Sequence, residues 1–110
     1  TKTAMEKGDE WHAQLIEYIK GNIDFAVDFI HNELPKIRIH KPEATYMIWM
    51  DFKDYGISDE ELNRKMVQEA NLGLNAGHIF GKEGECCMRM NLACPRSVVE
   101  KAMNNIKKVF

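Results

Sequence analysis

The run Cys87-Met88-Arg89-Met90-Asn91-Leu92 alternates without a break. Successive side chains of a strand point to opposite faces, so period two is its signature. Met88, Met90 and Leu92 share one face; Cys87, Arg89 and Asn91 share the other. The apolar face needs a layer to cover it, and the flanking sequence supplies candidates. Upstream, Thr45-Tyr46-Met47-Ile48-Trp49-Met50 is a continuous apolar run of β-formers. It predicts a central strand buried on both faces. Downstream, Pro95 suits the first turn of a helix. The spacing of Val98, Val99, Ala102, Met103, Ile106 and Val109 gives that helix one apolar face. Ser97, with Glu100 three residues on, offers it a capping box.

Further upstream, Trp11, Leu15, Tyr18, Ile19, Ala26, Phe29 and Ile30 have helical spacing. Asp9 is placed as the N-cap of this helix. Gly21 is a point where it can bend, and Pro35 ends it by about Leu34. Lys36-Ile37-Arg38-Ile39-His40 alternates like a short edge strand whose wet face is kept soluble by charge. Ser58-Asp59-Glu60-Glu61 reads as a capping box. It opens a helix with Leu62, Met66, Val67 and Ala70 inside and Gly73 as the left-handed residue that closes it. A short stretch, Leu74-Asn75-Ala76, leads to a glycine-containing loop from Gly77 to Gly84. The order α-β-β-α-β-β-α, with connections too short for several crossovers, predicts an α+β fold. Its small sheet, largely antiparallel or mixed, is covered by helices.

At 110 residues the chain is one domain, 1–110, large enough for a single core. Its 45% apolar and 29% charged residues fit a soluble globular protein. A net charge of −2 gives no attraction for nucleic acid or an anionic membrane. No apolar run approaches the roughly 20 residues that span a bilayer. The opening Thr1–Trp11 lacks an initiator Met and a signal-peptide core, so it reads as the interior of a longer chain. The three cysteines, Cys86, Cys87 and Cys94, are odd in number and two are adjacent. They are expected to be free thiols in a reducing cytoplasm. No metal is expected, because CxxC-type spacing and a fourth ligand are missing.

Familiar catalytic patterns are absent. There is no GxSxG elbow and no HExxH pair among His12, His31, His40 and His78. His12 and His31 fall on the first helix and are expected to face solvent. The Gly77–Gly84 loop is not a phosphate cradle, since Lys82 is followed by Glu83 rather than Ser or Thr. Arg89 is the residue that stands out. A guanidinium in mid-strand must find an anion or reach an open face. Either it grips a carboxylate ligand through two parallel hydrogen bonds, or it forms a structural pair with a carboxylate such as Asp51.

Three stretches carry a resemblance. They are Pro42-Glu43-Ala44-Thr45-Tyr46-Met47-Ile48-Trp49-Met50-Asp51, Leu74-Asn75-Ala76-Gly77-His78-Ile79-Phe80-Gly81, and Met88-Arg89-Met90-Asn91-Leu92-Ala93-Cys94-Pro95-Arg96-Ser97. In order and spacing they resemble the C-terminal small domain of fold-type I pyridoxal-phosphate (PLP) enzymes. Within that class the match is to class I/II aminotransferases, on the branch with cystathionine β-lyase-like C–S lyases. Gly8-Asp9-Glu10-Trp11 and the helix start at Ser58 are similar to that branch too. The resemblance implies that Arg89 binds the α-carboxylate of an amino-acid substrate. It also implies that Gly77, His78 and Gly81 line the active-site entrance, and that the domain packs on a large PLP-binding domain in a homodimer. Ala44 stands where the family usually has Gly, and position 78 varies in the family. The cofactor-binding lysine of these enzymes commonly follows Ser or Thr by three residues, and no Lys here does so. PLP is therefore expected on the large domain, which is not in this sequence, and the fragment alone is expected to be inactive. Two other readings are a free-standing α+β module for a small carboxylated metabolite, and an interaction domain with an exposed patch around Arg89.

Overall fold

The computed structural model describes all residues 1–110. A short helix, α1 (Lys2–Lys7), precedes the long α2 (Asp9–Glu33). Next come β1 (Met47–Asp51), α3 (Asp59–Arg64), β2 (Asn75–Ala76), β3 (Cys87–Asn91) and α4 (Arg96–Val109). The three strands form one antiparallel sheet in the order β1-β3-β2. The architecture is thus the α+β fold expected, with the sheet wholly antiparallel.

The core lies on one face of this sheet. Ile48 and Met50 of β1 pair in register with Met90 and Met88 of β3, and all four are buried. Leu92 continues that face. Ile19, Ile23, Ala26 and Ile30 of α2 and Val99, Ala102, Met103 and Ile106 of α4 complete the same cluster, with Leu62 and Met66 from the α3 region. The alternation of Cys87–Leu92 therefore places Met88, Met90 and Leu92 in the core as read, but Cys87 on the other face is buried as well, at 1% exposure, beneath the Gly77 turn. The helical spacing of α4 likewise places Val99, Ala102, Met103 and Ile106 inside.

β1 departs from expectation. It is neither central nor covered on both faces: β3 is central, and Trp49 of β1 stays 40% exposed. An apolar run marks a strand but does not say whether both of its faces are covered. Lys36–His40 forms a single bridge, with reciprocal Arg38–Asp51 backbone bonds of 3.0 Å, and not a strand. Its alternation is real, since Ile37 and Ile39 are buried while Lys36, Arg38 and His40 are exposed. Pro35 and Pro42 bracket too short a segment to extend the ladder.

The helix ends also differ in detail. Gly8, not Asp9, is the N-cap of α2; Asp9 is its first residue and makes no side-chain cap. α2 runs through Gly21 uninterrupted. Ser58 does cap α3, its Oγ accepting from the Glu61 amide at 3.2 Å. Glu61, however, turns to Arg64 instead of completing the box. α3 continues into a π turn at Lys65–Glu69, and that extra residue per turn rotates Val67 to 60% exposure. Asn71, at φ 56°, takes the left-handed position expected for Gly73. Pro95 is the N-cap of α4, so Ser97 lies inside the helix and caps nothing.

One buried polar residue joins the layers. Asn22 of α2 has no exposure. Its Nδ2 donates to the carbonyls of Leu92 (2.9 Å) and Cys94 (2.8 Å), just beyond β3. Its Oδ1 accepts from Arg96 Nε at 2.6 Å. The Arg96 amide donates to the Tyr18 hydroxyl at 2.7 Å, and its guanidinium lies over the Tyr18 ring. A side chain at position 21 would collide with that guanidinium, which is what Gly21 provides for. Asn22→Ala strands two buried carbonyls and an arginine. The expected cost is about 2–3 kcal/mol, read as a lower urea midpoint at unchanged m-value. Val67→Ala, on an exposed side chain, is expected to stay within about 0.5 kcal/mol.

Candidate functional site

The sheet face opposite the core carries the candidate site. Pairing places Trp49 of β1 opposite Arg89 of β3, and Asn75 of β2 on the other side of Arg89. Residues in register share a face, so Trp49, Arg89 and Asn75 form one row across all three strands. Phe80 joins this row from the loop after β2. The Arg89 guanidinium carbon lies 4.5 Å from the Phe80 ring centroid, a cation–π distance. Trp49 meets Phe80 edge-on with centroids 6.0 Å apart.

Arg89 has no anionic partner. Asp51, the structural alternative, instead accepts from the Lys53 amide at 2.8 Å. The one protein contact of the Arg89 guanidinium with an acceptor is a long bond from Nη2 to Asn75 Oδ1, 3.3 Å. Its Nε is buried and has no hydrogen-bond partner. Nη1 has no protein acceptor and Nη2 only the long Asn75 bond, so the guanidinium keeps donors for an anion arriving from outside. Arg supplies two parallel donors in the geometry of a carboxylate.

Backbone demands shape the neighbouring loop. It consists of two 3-10 turns, Gly77–Phe80 and Lys82–Gly84. A Cβ on Gly77 would overlap backbone oxygens of Gly84 and Cys87. Gly81 sits at φ 137°, a region open to glycine alone. The His78 side chain turns to Asp59 and not to Arg89's row. Its Nδ1 lies 2.8 Å from Asp59 Oδ2. The loop thus brings Phe80, and not His78, onto Arg89. Phe80, Trp49 and Asn75 were not singled out from the sequence as site residues. For Trp49 and Asn75 the signal was strand register, which pairs residues 40 and 14 positions from Arg89 and is invisible to local patterning; Phe80 arrives by the folding of its loop.

The rest of the surface offers less chemistry. A groove of about 380 Å³ lies between α2 and residues 41–45. Its Lys41 and Asp24 neutralise each other as an ion pair. His12 and His31 are exposed on α2. The three thiols are unactivated: burial pushes Cys86, Cys87 and Cys94 all upward, with Asp59 adding to the effect at Cys86 and Asp51 at Cys87.

Comparison with known proteins places the fold. No family model matches the chain. Cystathionine β-lyase PatB of Bacillus subtilis is 39% identical over 106 residues, which is 96% of this chain and 27% of that protein. A PLP-bound aminotransferase candidate from Clostridium difficile 630 superposes with a TM-score of 0.94 at 43% identity, over 96% of this chain and 27% of that one. A PLP-bound C–S lyase from Staphylococcus hominis, in complex with L-cycloserine, gives 0.86 at 30% identity, over 99% and 29%. The fold is that of the α+β C-terminal domain of PLP-dependent aminotransferases and C–S lyases. Within that class the chain fits the cystathionine β-lyase-like branch. It spans about a quarter of the length of the relatives it matches.

A raised thiol pKa leaves less thiolate at neutral pH. Reaction of these cysteines with a disulfide reagent at pH 7 is therefore expected to be slower than that of free cysteine. Its rate should rise with pH to a midpoint above that of an ordinary thiol.

Proposed function

We propose that this chain is the substrate-holding C-terminal domain of a PLP-dependent enzyme acting on amino acids. In that enzyme Arg89 would take the α-carboxylate of the substrate. The observation that supports this most is the guanidinium itself: mid-strand, ringed by Phe80, Trp49 and Asn75, its Nε buried without an acceptor. The parent would be a homodimer in the cytoplasm, with a large domain holding PLP. No helix of the chain is long and apolar enough to cross a membrane.

The residues present fit a carboxylate and not the cofactor's phosphate, for which the Gly77–Gly84 loop has no cradle. PLP, held by the rest of the parent, would supply an electron sink for the bonds at the substrate's α-carbon. This chain's part is positioning. Two parallel N–H donors fix the carboxylate plane, and with it the direction in which the α-carbon presents its bonds. The Phe80 ring stacks on one face of the guanidinium, limiting its swing and excluding water from it. The Gly77–Gly81 turn, with Gly77, His78 and Gly81, would form the rim of the entrance. The reaction would be either amino transfer or elimination of a sulfur leaving group from the β-carbon, and the identities of the relatives favour elimination.

The test uses the full-length protein that carries this segment. Its absorbance is expected to show bound PLP, which borohydride fixes to a lysine outside residues 1–110. L-Cystathionine should yield pyruvate if the branch is elimination, and L-alanine should exchange with keto acids if it is transfer. Arg89→Ala is expected to raise KM about ten- to hundredfold with cofactor absorbance unchanged. Arg89→Lys should rescue poorly, because one ammonium cannot replace a bidentate grip. A colourless protein that takes up no PLP would overturn the reading in favour of a free-standing metabolite-binding module. In that case equilibrium dialysis of residues 1–110 should detect amino-acid binding.

A further inference from the structure

The carboxylate of Asp59 is bonded to two segments that matter at Arg89. It is the first residue of α3, far from that row in sequence, and its side chain is mostly buried, at 24% exposure. Oδ2 lies 2.8 Å from His78 Nδ1, an ion-pair contact when the imidazole is protonated. Oδ1 accepts from the backbone amide of Cys86 at 2.9 Å. His78 belongs to the same four-residue turn as Phe80, two positions before the ring that stacks on Arg89. Cys86 immediately precedes β3, the strand that bears Arg89. Cys86 also holds a left-handed backbone, φ 61°, which non-glycine residues rarely adopt. Its amide is pinned there by Asp59, and its Sγ donates to the Ile57 carbonyl at 3.4 Å.

One carboxylate therefore ties down both members of the stacked pair, the turn that carries Phe80 and the entry to the strand that carries Arg89. The turn has no other side-chain hydrogen bond to the body of the domain: Gly77 and Gly81 have no side chains, and Ile79 and Phe80 are 62% and 51% exposed. The Phe80 ring itself meets Trp49 and Arg89, so a shift of the turn at His78 reaches the stack directly.

We infer that Asp59 and His78 are positioning residues for the substrate carboxylate, acting through Phe80 and Arg89 without touching the ligand. This rests on the carboxylate-binding reading of Arg89. His78 thus gains a specific task in place of a general one at the entrance rim. The bond needs a donor at the Nδ1 position and no particular ring chemistry. Asn, whose amide nitrogen can occupy that position, should serve in its place.

The experiment compares variants of the full-length protein loaded with PLP, with L-cystathionine as probe for elimination and L-alanine as probe for transfer. His78→Leu and Asp59→Asn are each expected to raise KM about tenfold, with kcat within about twofold and cofactor absorbance unchanged. His78→Asn is expected to stay near wild type. The double variant His78→Leu/Phe80→Leu should be less than additive, because both changes act on the same stack. Unchanged KM in His78→Leu and Asp59→Asn overturns the inference. So does a joint fall in kcat, cofactor absorbance and melting temperature that His78→Asn fails to restore, since that is a purely structural role. Arg89→Ala is measured alongside. If it leaves KM unchanged, the carboxylate reading itself fails; if it raises KM while the other two do not, only the positioning role fails.

Discussion

A single buried amide side chain holds this domain in register. Asn22 reaches from the middle of α2 to the backbone just beyond β3, and Arg96 closes the contact from the start of α4. The long helix, the central strand and the last helix are thereby fixed relative to one another at one point. Apolar packing is non-directional and would tolerate small slides of α2 along the sheet. Three directional bonds centred on a fully buried side chain do not. Because β3 is fixed, the face it turns away from the helices is fixed too, and Arg89 is on that face.

That orientation explains an asymmetry in the sheet. Its inner face is aliphatic and methionine-rich, packed by two helices. Its outer face is aromatic and cationic, with no helix over it. Trp49 and Phe80 are large enough to be core residues, yet remain 40% and 51% exposed around a guanidinium with an unmet donor. Such a face makes sense as one wall of a cleft whose other wall is a second body of protein. It agrees with a chain that aligns to about a quarter of its relatives.

Much of this was legible in the sequence where a local rule was enough. Strict alternation placed Met88, Met90 and Leu92 inside and Arg89 outside, and helical spacing placed the inner face of α4. Where the outcome depended on something distant, local rules failed. The apolar run around Trp49 looked buried on both sides because composition does not say which face of a strand the chain covers, and Trp49 is 40% exposed. Val67 had the right spacing for an interior position until a π turn shifted the phase. Asn71 closed the helix in place of Gly73, since Asn also tolerates the left-handed conformation. Arg89 was found because a charge in mid-strand breaks a pattern. Phe80, Asn75 and Asp59 break none, and only strand register and loop folding bring them to it.

The aromatic row has an optical consequence. The protein has two tryptophans, Trp11 on the first turns of α2 and Trp49 beside Arg89. Indole emission shifts to the blue when water leaves the ring. Trp49 is exposed on the face where an anion would dock and another body of protein would close. Its fluorescence is therefore a built-in gauge of whether that face is wet or covered. With Trp11 replaced by Phe, the remaining signal would come from this one place, in the isolated domain and in any larger assembly that contains it.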